Sequence, residues 1–172
     1  MEENALTLTL TLAALQQYGE AVAALYKAKL LTPNAKGYNH RASGGLVDSI
    51  RAQVTSPGEG TFEVSLTLQD YWKYVEHGRR PGKWPPRSAI LNWIRIKPVI
   101  PYPDKNGRLP SEQSLAFLIS RKIGTKGIDP SNDLAKTLEE LNTAWLPKIE
   151  QAFADDVAGA IGEWITLTPD PV

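Results

Sequence analysis

Two short runs of alternating apolar and polar residues constrain the fold of this chain more than any other feature. Ile50, Ala52 and Val54 form the first run, and a second run follows at residues 62–68. Between them lie residues 56–60, whose proline and glycines are typical of a turn. Because alternation places every second side chain on the same face of a strand, the pattern predicts a β-hairpin with one buried face.

An amphipathic helix is predicted before this hairpin, from about residue 12 to residue 31, with Pro33 ending it. Leu12, Val22 and Leu30 are among the apolar residues that recur on one side of this helix. Residues 6–12 alternate leucine with threonine, which fits either an extended arm or a continuation of the helix. Ser43 is placed to cap a short turn over residues 44–48.

Two further helices are predicted in the second half of the chain. The first begins at Pro85 and Pro86, because proline suits the first helical position, where its missing N–H is no loss. Ser111 caps the second, which glycines near residues 124–127 end. Its predicted apolar stripe consists of Leu115, Leu118, Ile119 and Ile123.

The last helical region starts near residue 130, and Pro147 should kink it or split it in two. Together these elements predict an α+β fold. It comprises an N-terminal amphipathic helix, a small antiparallel sheet with a β-hairpin, several helices and a long C-terminal helical region kinked near Pro147. We expect an α+β core at residues 1–128 and an acidic helical extension at residues 129–172, packed on the same domain. Trp93, Trp145 and Trp164 lie on or near apolar helical stripes and are predicted packing residues.

The segment from residue 70 to residue 86 carries the strongest functional signal. Tyr71, Tyr74 and Val75 have helical spacing and are predicted to be buried on one face of a short helix that Gly78 ends. Residues 79–87, here called the basic loop, follow with cationic side chains, prolines and Trp84. Large aromatic residues and arginine supply much of the binding energy at protein interfaces.

The basic loop therefore predicts a partner-binding surface, for which Trp84 is either an exposed anchor or a residue that folds back onto the hairpin. The predicted partner-binding residues are Arg79, Arg80, Lys83, Trp84, Arg87 and Trp72.

A formal net charge of zero conceals two segments of opposite charge. Residues 71–108 contain nine basic and two acidic residues, a net charge of +7, whereas residues 129–172 contain two basic and nine acidic residues, a net charge of −7. This division fits two solvated faces of one molecule, or complementary surfaces that join copies head to tail in a ring. Binding to nucleic acid is a third interpretation, which the acidic segment disfavours.

Composition and motifs point away from catalysis. The chain has no cysteine and two histidines far apart in sequence, so neither thiolate chemistry nor a metal site is expected. It shows no Gly-x-Ser-x-Gly elbow and no phosphate-binding loop. We therefore expect no enzyme activity, cofactor or metal. Without a basic signal segment or an apolar run of about 20 residues, we also expect synthesis in the cytoplasm and no membrane contact.

Three motifs follow one another in a fixed order. The sequence ASGGLVDSI occupies residues 42–50, YWKYVEHGRRPG occupies residues 71–82, and LAFLISRKI occupies residues 115–123, with Gly127 after it. In this order they resemble the minor tail component family of tailed bacteriophages, the gene-product-10-like tail completion or head–tail joining proteins. The resemblance covers roughly residues 12–128. The acidic C-terminal region and the proline-rich residues 98–103 depart from that pattern, as do residues 128–131, which replace a proline- and phenylalanine-containing ending.

The resemblance implies a structural virion protein, located in the neck or tail and joining the head connector to the tail. Its implied partners are other copies of itself, in a ring or along the tail axis, and the connector or stopper and tail terminator or tail tube proteins, with a passing contact to genomic DNA. The alternative is a nucleic-acid-binding accessory protein. In it, the arginines and Lys83 of the basic loop would contact phosphates while Trp84 stacks on a base.

Overall fold

The computed structural model describes residues 8–33, 44–58, 60–97, 99 and 101–167 of the 172-residue chain, with side chains as far as residue 165. In this part of the chain, six helices and one two-stranded antiparallel sheet occur, so the predicted α+β class is confirmed. In chain order the elements are α1 (Thr9–Leu31), α2 (Gly45–Ser49), β1 (Arg51–Gly58), β2 (Thr61–Thr67), α3 (Trp72–Glu76), α4 (Arg87–Ile96), α5 (Glu112–Lys126) and α6 (Asp133–Leu167).

Helix α1 begins three residues before the predicted start and ends at Leu31, as predicted. The N–H of Leu12 donates to the carbonyl oxygen of Leu8 at 3.0 Å, so residues 9–12 are helical rather than extended. The earlier part of the leucine–threonine repeat and Ser43 lie outside the described residues. Val22 and Leu30 are buried as predicted, and Tyr26, which lies between them at helical spacing, is fully buried too.

The predicted hairpin is confirmed. Strands β1 and β2 pair in antiparallel register, with Ala52 opposite Leu66 and Val54 opposite Val64. These side chains are half-buried on the face that meets α1 at Gly19. A Cβ at Gly19 would lie 3.1 Å from the Cβ of Ala52, so the missing side chain lets α1 approach the sheet closely.

The chain forms two compact units. Within the described residues, the first unit contains α1 up to Ala28, the hairpin, and α6 from Leu134 onwards. The second unit contains the end of α1, α2 and the segment from Leu68 to Asp133, which includes α3, α4 and α5. The predicted boundary after residue 128 separates two consecutive segments of the chain, whereas these units combine segments that are far apart in sequence. That boundary stays a prediction.

In the first unit, a carboxylate of α6 caps the beginning of α1. Asp156 accepts hydrogen bonds from the N–H groups of Leu10 and Thr11 at 3.0 and 2.8 Å, and from the Thr11 hydroxyl at 2.8 Å. The first N–H groups of a helix have no partner within the helix, so an acceptor there stabilises it. Burial raises the pKa of Asp156, but the three hydrogen bonds together lower it by more than burial raises it. The pKa is therefore below its ordinary value.

A second contact between the same helices involves Tyr18 of α1. Its hydroxyl donates to Oδ1 of Asn142 at 2.6 Å, and its ring meets that of Trp145 edge-on with centroids 6.3 Å apart. Burial raises the pKa of Tyr18 above its ordinary value. Trp145 is thus a packing residue, as predicted. Helix α6 runs unbroken past Pro147, so the alternative of two separate helices is wrong, while the kink stays a prediction.

In the second unit, α4 and α5 form the core that supports the basic loop. Ile90 and Ile94 of α4 are buried with Ala116 of α5. Ser111 caps α5 as predicted, since its Oγ accepts a hydrogen bond from the N–H of Ser114 at 3.2 Å. Residues packed against this core are Leu91, Val99, Leu115, Ile119 and Ile123.

The predicted apolar stripe of α5 is wrong in one position, and the prediction that Gly124 helps to end the helix is wrong as well. Leu118 is 50% exposed, whereas the small residues Ala116, Ser120 and Gly124 are buried. The helix continues through Gly124 to Lys126, and Gly127, with a φ of 78°, follows it. The buried face of α5 is therefore set by small residues four apart, which apolar spacing does not reveal.

Candidate partner-binding surface

Helix α3 ends at Glu76, and Gly78 leads from it into the basic loop. Gly78 has a φ of 67°, the left-handed conformation predicted for it. A Cβ at this position would collide with the carbonyl oxygen of Ile128 and lie 2.8 Å from the nitrogen of Pro130. Glycine is therefore required both for the turn and for the close approach of the chain that follows α5.

The burial predicted for Tyr71 and Tyr74 is wrong. Tyr74 is 59% exposed, Tyr71 is exposed too, and Val75 is half-buried, whereas Glu76 is only 2% exposed. The end of α3 is fixed through its backbone, because the N–H groups of Ser131 and Asn132 donate to the carbonyl oxygens of Val75 and Glu76, both at 3.2 Å. Helical spacing identified residues that share a face but not which face is turned inward.

Backbone hydrogen bonds tie the first half of the basic loop to the end of α5. The N–H of Arg79 donates to the carbonyl oxygen of Ile128 at 2.9 Å, and the N–H of Ile128 donates to that of Arg79 at 2.8 Å. Gly82 N–H donates to the carbonyl oxygen of Gly124 at 2.7 Å. Backbone pairing of this kind restrains the loop whatever its side chains do.

The second half of the basic loop rests on three residues of α5, here called the seat: Phe117, Ser120 and Gly124. A Cβ at Gly124 would collide with the Trp84 ring and lie 2.6 Å from its Nε1. The same ring meets Phe117 edge-on, with centroids 5.8 Å apart. The Ser120 hydroxyl donates to the carbonyl oxygen of Pro85 at 2.7 Å, in a buried position.

Trp84 combines features of both predicted alternatives. It folds back against its own chain, although onto α5 rather than onto the hairpin, and yet 45% of its surface is exposed. One part of the indole is therefore fixed by the seat and another part is accessible. A side chain held in this way loses little freedom when a partner covers it.

The cationic side chains surround this tryptophan unequally. Arg79 is half-buried, and its Nη2 donates to the carbonyl oxygen of Lys83 at 2.7 Å, which closes the loop on itself. The guanidinium of Arg87 lies 4.7 Å from the centroid of the Phe117 ring, within cation–π range. Arg80, Lys83 and Arg87 are exposed. Among the described residues, no acidic side chain forms an ion pair with these cations, so their charge remains available to a partner.

Trp72 is separate from this group. It is half-buried on α3, where its ring lies 5.7 Å from that of His77. Within the described part of the chain, no hydrogen bond or ring contact joins Trp72 to the basic loop. The structure thus brings together five of the six predicted residues and leaves Trp72 outside.

An apolar groove of about 520 Å³ lies next to the basic loop in the second unit, and no sequence pattern predicted it. Its walls come from α3, α4, α5 and the chain around Ile128. Arg79 and Pro85 belong to both the groove and the loop. The groove is lined by Tyr71, Tyr74, Val75, Arg79, Pro85, Ile90, Trp93, Lys97, Ile119, Ile123, Ile128 and Asp129.

The described residues contain no group of three or more histidine, aspartate or glutamate side chains placed to hold a metal ion. Over the same residues, no helix is long and apolar enough to span a membrane. Comparison of the chain with models of protein families, with curated proteins and with solved structures finds no match. The groups that this surface presents are aromatic, apolar and cationic.

Proposed function

We propose that this protein is a structural component of a tailed-bacteriophage virion that joins the head connector to the tail, and that it binds its neighbours through the basic loop. The proposal is supported by the three motifs that resemble tail completion proteins. One observation carries it furthest: the second and third motifs form a single structure. Gly82 of the second motif is hydrogen-bonded to Gly124 just after the third, and Trp84 packs on Phe117 within the third.

The tethering of the loop suits a protein that works by assembly rather than by catalysis. Because the loop is already held by its backbone and by the seat, binding a partner costs little additional order. Trp84 supplies an apolar anchor, and Arg80, Lys83 and Arg87 supply charge for orientation. In a closed ring each contact is repeated by symmetry, so contacts of modest affinity combine into a stable joint.

A double substitution of the loop tests this function directly. We expect Trp84→Ala with Arg80→Ala to leave the protein folded, since both side chains lie at the surface, but to block head–tail joining in an in vitro complementation assay. The matched control is Leu118→Ala with Arg95→Ala, which removes one exposed apolar and one exposed basic side chain of the same unit outside the loop. Normal joining by the folded loop variant would contradict the proposed role.

A second function, binding to nucleic acid, is favoured by one observation. Arg80, Lys83 and Arg87 are exposed around a partly accessible indole, an arrangement that also suits a single-stranded backbone with a stacked base. Affinity for single-stranded DNA would then fall steeply with salt, by roughly 0.7 in log K per log unit of salt for each phosphate contacted. An absence of binding at low salt would remove this alternative.

A further inference from the structure

Helix α6 carries two apolar faces. One face is half-buried in the first unit, where Trp145 contacts Tyr18 and Asp156 caps α1. The other is exposed and is here called the stripe: Leu146, Phe153, Ile161, Trp164 and Ile165. With about 100° between successive residues of a helix, Leu146, Phe153 and Trp164 fall within about 20° of one another, and about 100° away from Trp145.

The stripe consists of large apolar side chains that are exposed at several positions along α6. Phe153 and Ile161 are each 49% exposed, and the stripe extends over about five turns of α6. Trp164, predicted to be a packing residue, is 53% exposed. Large apolar side chains exposed along one side of a helix over this length form a candidate interaction site.

The groove of the second unit is a second apolar surface with exposed aromatic side chains. Tyr71, Tyr74 and Trp93 are exposed along it, while buried Ile90 forms part of its base. Amphipathic helices bind in such grooves through apolar side chains three, four or seven residues apart. Phe153, Ile161 and Trp164 present side chains at similar intervals.

The charges of the two surfaces are complementary. Eight of the twelve residues that line the groove lie in the segment with a net charge of +7, and the charged lining residues are Arg79, Lys97 and Asp129, a net charge of +1. Helix α6 contains no basic residue after Lys148, whereas the exposed Glu150 lies about 40° from Leu146, within the angular range of the stripe. Opposite charges around matching apolar patches favour association in one orientation.

We propose that the stripe of one copy binds in the groove of a second copy. Both halves of this interface are on the same chain: most of the groove comes from the basic segment, and the stripe comes from the acidic segment. Such a contact is head-to-tail, because the two surfaces differ, and it generates a closed ring when the rotation between copies closes. The inference rests on the self-assembly part of the proposed function, but it holds for any such assembly, in a virion or not.

Two charge-insertion variants of the full chain test the interface. Tyr71→Glu with Tyr74→Glu alters the groove, and Phe153→Glu with Ile161→Glu alters the stripe; all four side chains are exposed, so the fold should tolerate them. The controls are Leu118→Glu, which is exposed outside the groove, and Ala144→Glu, on an exposed part of α6 about 160° from Leu146. Molar mass is measured by sedimentation over a range of protein concentrations, with circular dichroism as the check on folding.

We expect the unaltered chain and both controls to associate as concentration rises, and each double variant to remain monomeric. An equimolar mixture of the two double variants should form a 1:1 heterodimer and stop there, because only one intact groove–stripe pair remains. A monomeric unaltered chain would overturn the proposal. Association of the groove variant alone, which would indicate a contact between two copies of α6, or a mixture that stays monomeric, would overturn it too.

The absence of cysteine from the chain gives a second test that avoids charged substitutions. Tyr74→Cys in one preparation and Phe153→Cys in another should form a disulfide-linked heterodimer on mixing and oxidation, at a yield well above that of either preparation alone. A mixed yield no higher than that of the controls Leu118→Cys and Ala144→Cys would overturn the proposal. If the chain associates but is not incorporated into phage particles, the interface is supported and the proposed function is contradicted. If the chain is incorporated into particles but does not self-associate, the proposed function is supported and the interface is contradicted.

Discussion

In the first unit, long elements meet through side chains, whereas in the second unit a loop is fastened to a helix largely through backbone atoms and small residues. Tyr18 and Asp156 join α1 to α6, and Gly19 brings α1 onto the hairpin. The basic loop instead depends on paired backbone groups of Arg79 and Ile128 and on the seat. The difference implies that the binding surface can be disturbed without loss of the first unit, and that small changes in α5 should affect it most.

The largest expected effect comes from the core below the basic loop. Ile94 of α4 is buried against α5, so Ile94→Ala should lower the free energy of unfolding by about 2–5 kcal/mol through lost burial and the cavity left behind. The neighbouring Ile96 is 53% exposed, and Ile96→Ala should change that free energy by less than about 0.5 kcal/mol. Urea unfolding measures both, and equal effects of the two substitutions would contradict the assigned core.

The next largest effect is expected from adding a methyl group at Gly124 in the seat, compared with the same change at an exposed helix position. Gly124→Ala should lower the free energy of unfolding by about 1–3 kcal/mol, because the new Cβ collides with the Trp84 ring. Gly159→Ala is the matched control, since nothing lies near a Cβ there, and it should stabilise α6 by about 0.5–1 kcal/mol. Opposite signs in thermal unfolding would support the seat, whereas stabilisation by both substitutions would show that Trp84 does not rest on Gly124.

A smaller effect is expected from the hydrogen bond beneath the loop. Ser120→Ala removes the buried donor to the Pro85 carbonyl oxygen and should cost about 1 kcal/mol. Ser88, exposed on α4, provides the comparison, and Ser88→Ala should be close to neutral. Hydrogen exchange of the Gly82 amide should also become faster in the Ser120 variant if the hydroxyl helps to hold the loop. An unchanged exchange rate would show that the Ser120 hydroxyl does not restrain the loop.

The smallest effect concerns the first unit and depends on pH. Because the pKa of Asp156 is below its ordinary value, the stability it contributes is present above its unfolded-state pKa and is lost as pH falls through its folded-state pKa. Asp156→Asn should therefore lower the melting temperature at neutral pH, and the gap to the unaltered chain should close in strong acid. Asp155, which accepts a hydrogen bond from Gln151 of the same helix, is the control, and Asp155→Asn should have a smaller effect. A gap that is constant with pH would contradict the assigned cap.

Sequence periodicity predicted the first unit better than the second, for a physical reason. The hairpin and the packing of Trp145 follow from side-chain patterns that repeat over many residues. The role of Asp156 did not follow, because an acidic residue on a polar helix face has the same pattern whether or not it caps a distant helix. Its partners at Leu10 and Thr11 are far away in sequence.

The sequence predicted the residues of the candidate partner-binding surface but not the residues of α5 on which they pack. The cations and Trp84 of the basic loop stand out in the sequence, and Gly78 was expected to take its left-handed conformation. The seat was missed because Ser120 and Gly124 lack apolar character, although small residues four apart in a helix are a detectable sign of close packing. The groove was missed because Tyr71 and Tyr74 were assigned to the interior, and spacing alone does not say which face of a five-residue helix is buried.

Quantitative mass spectrometry of phage particles, purified from cultures of the organism that encodes this chain, tests the proposed virion role. The proposed function predicts that the chain is present at a low, fixed copy number per particle, as a ring around the tail axis requires. Particles in which head–tail joining is complete but the chain is absent would contradict it.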